Sequence, residues 1–173
     1  GVGSQPQEAA DSTVVVGRLC NHDGELQCVL VNYACHPTTL AWENHLISPD
    51  FVGALREQLT AAYGVPVLFL QGASGDLAPR RQYTGDLAIA DANGRQLAFA
   101  VQACFESLPN PGFQLAPTRV VVSGADLGCW EEQAVFSETQ DLCVLHHQDA
   151  ELDWRADFPE IDDLKRDLAT AEG

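Results

Sequence analysis

The segment Leu26–Tyr33 (LQCVLVNY) constrains this chain more than any other. It is nearly all apolar, without the strict alternation of a half-wet strand. Such a run reads as a strand buried on both faces, which is typical of sheets covered by helices. Its neighbours fit that frame. Thr13–Cys20 is β-branched and apolar, and Asp23-Gly24 between the two runs is a hairpin signal. Downstream, Ser48-Pro49-Asp50 has the chemistry of a helix start, with Ser48 as the cap and Pro49 at the first helical position. Phe51, Ala54, Leu55, Leu59 and Ala62 then recur at helical spacing, and Gly64 ends the helix.

Val65–Gln71 is the next strand, followed by a loop over Gly72–Tyr83 and a second helical pattern over Asp86–Leu108. Gly94 inside that helix costs about 1 kcal/mol against Ala, which predicts close packing or a break. Pro109-Asn110-Pro111-Gly112 is a turn, Leu115–Ser123 reads as a strand, and residues 126–141 read as a loop with a short helix. Leu142–His147 and Glu151–Arg155 are strand-like, and Pro159–Ala171 reads as an acidic helix. The order strand–helix–strand–helix–strand predicts an α/β fold. Its sheet is mixed, partly parallel and flanked by helices, with right-handed crossovers between parallel strands.

At 173 residues the chain suits one domain, alone or with an appendage. Apolar residues make up 46%, enough for a core, and the longest apolar stretches fall far short of the ~20 residues of a membrane span. The net charge of −16 argues against nucleic acid, and against an anionic membrane gripped by a basic patch. Residues 124–173 carry 14 acids and 3 bases, an acidic continuation read as a solvated face. Residues 1–12 read as a polar linker, and the absence of methionine suggests a processed chain or a piece of a longer one. None of the six cysteines forms a CxxC pair. Cys28, Cys35 and Cys104 are expected to pack as small hydrophobes, and Cys20 and Cys28 face each other only across a three-residue loop.

Two loops carry candidate chemistry. Ala34–Thr39, with His36-Pro37, follows the most apolar strand, and Gln71–Arg80 follows the next. Parallel neighbouring strands would open both loops on one sheet edge, where open α/β folds place ligands. A neutral His36 imidazole there suits metal binding or proton transfer, against the plainer reading of a buried, satisfied histidine. His45 and His22 read as exposed, and His146 and His147 as a poor chelating pair. Ser74 invites a nucleophile reading, but Gly72-Ala73-Ser74-Gly75-Asp76 misses GxSxG by one position. Backbone amides of the glycine-rich turn orienting a substrate oxyanion are a better use of Gly72 and Gly75. Asp76 suits a metal, a histidine partner or a turn cap. Arg80 and Arg81, rare cations here, suit a substrate anion.

At these loops the sequence resembles the neutral/alkaline non-lysosomal ceramidase family, in its amino-terminal catalytic domain. The resemblance runs from about Val14 to Leu108. It rests on three segments in the family's order: His36-Pro37-x-Thr39 with its neighbour Thr38, Asn44-x-Leu46-Ile47-Ser48-x-Asp50, and Gln71-x-x-x-Gly75-Asp76-x-x-Pro79. It implies that residues 13–173 are part of a ceramidase-like catalytic domain, best supported over 13–123. The implied activity is zinc-dependent hydrolysis of the N-acyl amide of ceramide or a related lipid amide, in a secreted or periplasmic protein. By resemblance His36 is a zinc ligand. Gly75 and Asp76 belong to the catalytic segment, and Gly72, Ser74 and Arg80 to the substrate side. The family serine before the proline is replaced by Ala78.

The family's other zinc ligands, from an upstream His-x-His segment and a downstream Glu and Tyr, have no match here. The chain is therefore expected to be an incomplete domain, inactive alone, that completes its zinc site with the remainder of its own catalytic domain. Exposed apolar surface or unpaired sheet edges are expected where that remainder docks. Two other readings stay open. One is a metal-independent hydrolase using Ser74 with His36; the other is a non-catalytic interaction domain that retains the fold.

Overall fold

Eight residues of near-continuous hydrophobicity do become the central strand. The computed structural model describes residues 10–135, 147–149, 151 and 159–171. In it, β1 (Val14–Cys20), β2 (Leu26–Tyr33) and β3 (Val67–Gln71) form a sheet in the order β1-β2-β3. β1 and β2 are antiparallel, β2 and β3 parallel, so the sheet is mixed. The crossover between β2 and β3 contains α1 (Phe51–Tyr63). β3 begins two residues later than its apolar run suggests, after Pro66, which has no N–H to give a ladder.

The β1–β2 turn follows its Asp-Gly signal. Gly24 adopts φ 82°, and the Asn21 side chain accepts from the N–H groups of Asp23 and Glu25. A register shift at its start pairs Cys28 with Leu19 and Cys20 with Leu26, and both thiols are free. Cys28 and Cys35 are buried as expected, whereas Cys104 is only half-buried.

Among the described residues, helices cover one face of the sheet. Val29 and Val31 of β2 and Val67 of β3 pack with Phe51, Leu55 and Leu59 of α1, and with Leu97, Ala98 and Val101 of α2 (Leu87–Glu106). On the alternate positions Val15, Leu19, Leu68 and Leu70 remain exposed. On β2 itself the far face is half-covered, with Cys28 buried and Leu30 half-buried, so the expected burial on both faces holds in part, and the expected exposed apolar surface lies on β1 and β3. The outer edges of β1 and β3 also lack a partner strand there. These features are those of an incomplete α/β domain.

Three local expectations are corrected. Asp50, not Ser48, caps α1: its carboxylate accepts from Phe51 N at 2.7 Å, while the Ser48 hydroxyl accepts from Asp50 N. Asp50 prevails because its carboxylate also accepts from Leu40 N, at 2.8 Å, and so serves two elements at once. The strand after α2, β4 (Phe113–Val122), does not join the first sheet. It pairs antiparallel with β5 (Asp126–Ala134) in a separate two-stranded ribbon. β5 lies where a loop with a short helix was expected. The turn at Gly124 (φ 75°) folds it onto β4, and cross-strand pairing overrides its acidic, glycine-containing composition.

The chain divides into two units, Gly1–Phe136 and Ser137–Gly173. In the second, α3 (Ile161–Ala171) realises the expected acidic helix, with exposed Ile161, Leu164 and Leu168. Leu142–His147 and Glu151–Arg155 fall largely outside the described residues.

Gly94 has the close-packing role. A Cβ there would lie 2.2 Å from the Phe51 carbonyl oxygen and 2.9 Å from Leu55 N. The absence of a side chain thus seats α2 directly on the first turn of α1. Gly94→Ala opposes a helix-propensity gain of about 1 kcal/mol with a backbone clash. The clash wins, because both atoms belong to backbone that α1 holds rigid. The expected net loss is about 1–3 kcal/mol, seen as a lower urea midpoint at unchanged slope. An unchanged or raised midpoint would contradict this packing.

Candidate functional site

The parallel pairing of β2 and β3 continues past both strand ends. Tyr33 is opposite Gln71, and Gly72 N donates to Tyr33 O at 3.0 Å. A Cβ on Gly72 would sit 3.2 Å from Ala34 backbone atoms, so the chains run close together there. His36 N then donates to Leu77 O at 2.8 Å, and Leu77 N to Ser74 O. The two loops expected to share one sheet edge are therefore one hydrogen-bonded unit. Their further reaches stay joined: Tyr83 N donates to Thr38 O, Thr84 N to Thr39 O, and Trp42 stacks on Tyr83 at 4.6 Å. Buried Thr39 accepts through its hydroxyl from the Asn93 amide of α2 at 3.1 Å, which anchors the first loop to the helix layer.

Ala41, Asp50 and Tyr83 all adopt positive φ, at 46°, 54° and 55°. Each such non-glycine residue costs on the order of 1–3 kcal/mol. All three lie in these loops or at the helix start that follows, so this part of the chain carries the described backbone strain of non-glycine residues.

His36 is half-buried. Its Nδ1 lies 3.4 Å from the Gln71 amide nitrogen, which also donates to Ser74 Oγ at 2.7 Å. Gln71 thus stands between Ser74 and His36. The Ser74 side chain, in a residue 5% exposed, meets the amide and not the imidazole. Gly75 and Asp76 are exposed at the turn, and a Cβ on Gly75 would meet open space. Ala78, Arg80 and Arg81 line a cleft of about 720 Å³ whose apolar wall includes Tyr33, Phe51 and Leu97. His36, Ser74 and Asp76 do not line it. The structure therefore brings His36, Gly72 and Ser74 together and places Ala78 and Arg80 on a neighbouring cleft. His45 and His22 are exposed, as expected.

Among the described residues no group of three or more His, Cys, Asp or Glu is placed to hold a metal. His36 fits as a single nitrogen donor, and no partner is found for its Nε2 among those residues. Gln71 and Asp50 are site-organising residues that the sequence reading passed over. Gln71 looked like the polar end of an apolar run, and Asp50 like an ordinary first-turn acid. The available signal was that both open or close the short segments that carry the family resemblance.

Next to His36, burial pushes the Cys35 thiol up to about 11 from 9.0, with the Asp50 carboxylate adding to the effect. The raised value means that stability from the neutral thiol is complete below 9.0 and is lost as pH rises toward about 11. A protonated buried thiol is a poor nucleophile. Cys35 is expected to resist iodoacetamide in the native chain at neutral pH and to react in denaturant, as read by peptide mass spectrometry. Fast native labelling of Cys35 would contradict its burial.

No protein-family model, no curated protein and no solved structure matches this chain.

Proposed function

We propose that this chain supplies one metal ligand and part of the substrate cradle of a zinc-dependent amidohydrolase resembling neutral ceramidase. Its substrate is the N-acyl amide of ceramide or a related lipid. The observation that supports this most is the meeting of the three resembling segments. His36 N reaches Leu77 O, and Leu40 N, one residue past the first segment, reaches the Asp50 carboxylate that closes the second.

In this reading His36 offers its imidazole to zinc, and the remaining donors come from beyond the described residues. When bound, zinc polarises the amide carbonyl and makes a coordinated water more acidic. The chain's own contribution is positioning. The N–H groups of Gly72 and Leu77 are used on Tyr33 O and Ser74 O, which fixes the turn between them. With its N–H on Tyr33 O, Gly72 does not serve a substrate oxyanion as expected, and that role falls to the N–H of Gly75 at the exposed turn. Arg80 lines the neighbouring cleft, where its cation suits an acidic group of a related lipid, ceramide itself being uncharged. At Ala78 a methyl stands where the family has a hydroxyl, so one preorganised polar contact is missing. The loss of such a contact typically costs ~10²–10³ in rate.

The test uses the complete protein. His36→Ala is expected to lose zinc by elemental analysis and to lose hydrolysis, with an unchanged circular dichroism spectrum. Wild-type zinc content in that variant would remove His36 from the ligand set. Wild-type protein is expected to cleave short-chain ceramide poorly, and Ala78→Ser to cleave it faster, by up to ~10²–10³. Efficient cleavage by the wild type, unchanged in Ala78→Ser, would contradict the role given to this position.

A further inference from the structure

Among the described residues the Gln71 side chain meets both His36 and Ser74, and its chemistry gives it a choice of state. The amide nitrogen donates to Ser74 Oγ at 2.7 Å and approaches His36 Nδ1 at 3.4 Å. The first bond is short and ends on a buried residue, so it anchors the amide. The second contact is longer and ends on a half-buried ring, which the anchored amide orients.

A neutral imidazole carries its proton on one nitrogen only, and the partner of one nitrogen decides the role of the other. With the amide nitrogen donating to Nδ1, the ring proton sits on Nε2, which is then a hydrogen-bond donor. With the amide turned end over end, its oxygen takes the same position. That oxygen accepts from Nδ1–H and from the Ser74 hydroxyl, and Nε2 presents a lone pair. Both arrangements satisfy the three groups with the same heavy-atom positions.

We propose that Gln71 is a positioning residue that sets the His36 tautomer, and thereby switches Nε2 between a donor and a metal- or proton-accepting nitrogen. The inference rests on the reading of His36 as the group that faces zinc or substrate. Ser74 is the anchor of the amide in this arrangement, and its hydroxyl need not be a nucleophile. With the amide nitrogen on Nδ1 the ring proton sits on Nε2. Binding of a cation at Nε2 requires the turned amide.

The experiment is long-range proton–nitrogen correlation NMR on the labelled chain in mildly alkaline buffer. His36 is identified by the resonances lost in His36→Ala. The wild type is expected to show one dominant His36 tautomer, with the proton on Nε2. Gln71→Glu presents acceptors alone, so the protonated and unprotonated nitrogen resonances should exchange places. Gln71→Leu and Ser74→Ala remove the contact and its anchor, and both should move the resonances to intermediate, averaged positions. Circular dichroism identifies any variant that fails to fold, and the remaining folded variants decide the result. The same His36 tautomer in the wild type and in every folded variant would overturn the proposal. Zinc content in the complete protein is scored separately. A tautomer that follows Gln71 in a protein without zinc supports the positioning role and sinks the metal reading instead. In a zinc-binding protein, loss of the Gln71 contact should weaken zinc binding by roughly 10–100-fold, with partial rescue by Gln71→Glu.

Discussion

The parallel ladder between β2 and β3, carried three residues past the end of β2, is the interaction on which the rest of the site depends. Gly72 N on Tyr33 O and His36 N on Leu77 O make two loops behave as one piece of backbone. Backbone hydrogen bonds of this kind are obligatory for buried groups, so the loops need no long side chains to stay together. They fix the backbone at His36. The close approach at Gly72 is part of the same constraint, because a side chain there would press on the Ala34 backbone.

The helix layer supports that edge from below. Asp50 joins the first loop to α1 by bonding both Leu40 N and Phe51 N, at the cost of a positive φ. Gly94 lets α2 lie against the same turn, and Asn93 reaches from its neighbouring position to Thr39 and to the Arg81 carbonyl. One turn of α2 therefore holds the start of α1 and both loops. The buried Leu55 and Leu59 of α1 stabilise this arrangement, each by about 2–5 kcal/mol relative to an Ala truncation, and Val101 of α2 belongs to the same buried cluster. The opposite face of the sheet, with Val15, Leu68 and Leu70 exposed, has no such layer among the described residues.

Much of this architecture was legible in the residues themselves. The apolar run of β2, the Asp-Gly turn, the helical spacing from Phe51 to Ala62 and the Gly64 stop all depend on local chemistry. The reading failed where the deciding contact is distant. Asp50 displaced Ser48 as the cap because of Leu40, ten residues away. β5 formed because β4 lay opposite, although its own sequence argues for a loop. β4 left the main sheet for the same partner. At the site, strand order predicted that the two loops would meet. Gln71 was hidden because its significance is a pair of side-chain contacts, one of them to a residue 35 positions earlier in the chain. The raised pKa of Cys35 likewise comes from burial that no local pattern announces.

The central proposal is that His36 ligates a metal at this edge through Nε2, once the Gln71 amide is turned. Anomalous diffraction at the zinc edge, from crystals of the complete protein grown with zinc, tests it most directly. The account predicts a peak about 2.0–2.1 Å from His36 Nε2, with the Gln71 amide still on the other ring nitrogen. Zinc bound elsewhere, with Nε2 engaged by a protein group, would contradict it.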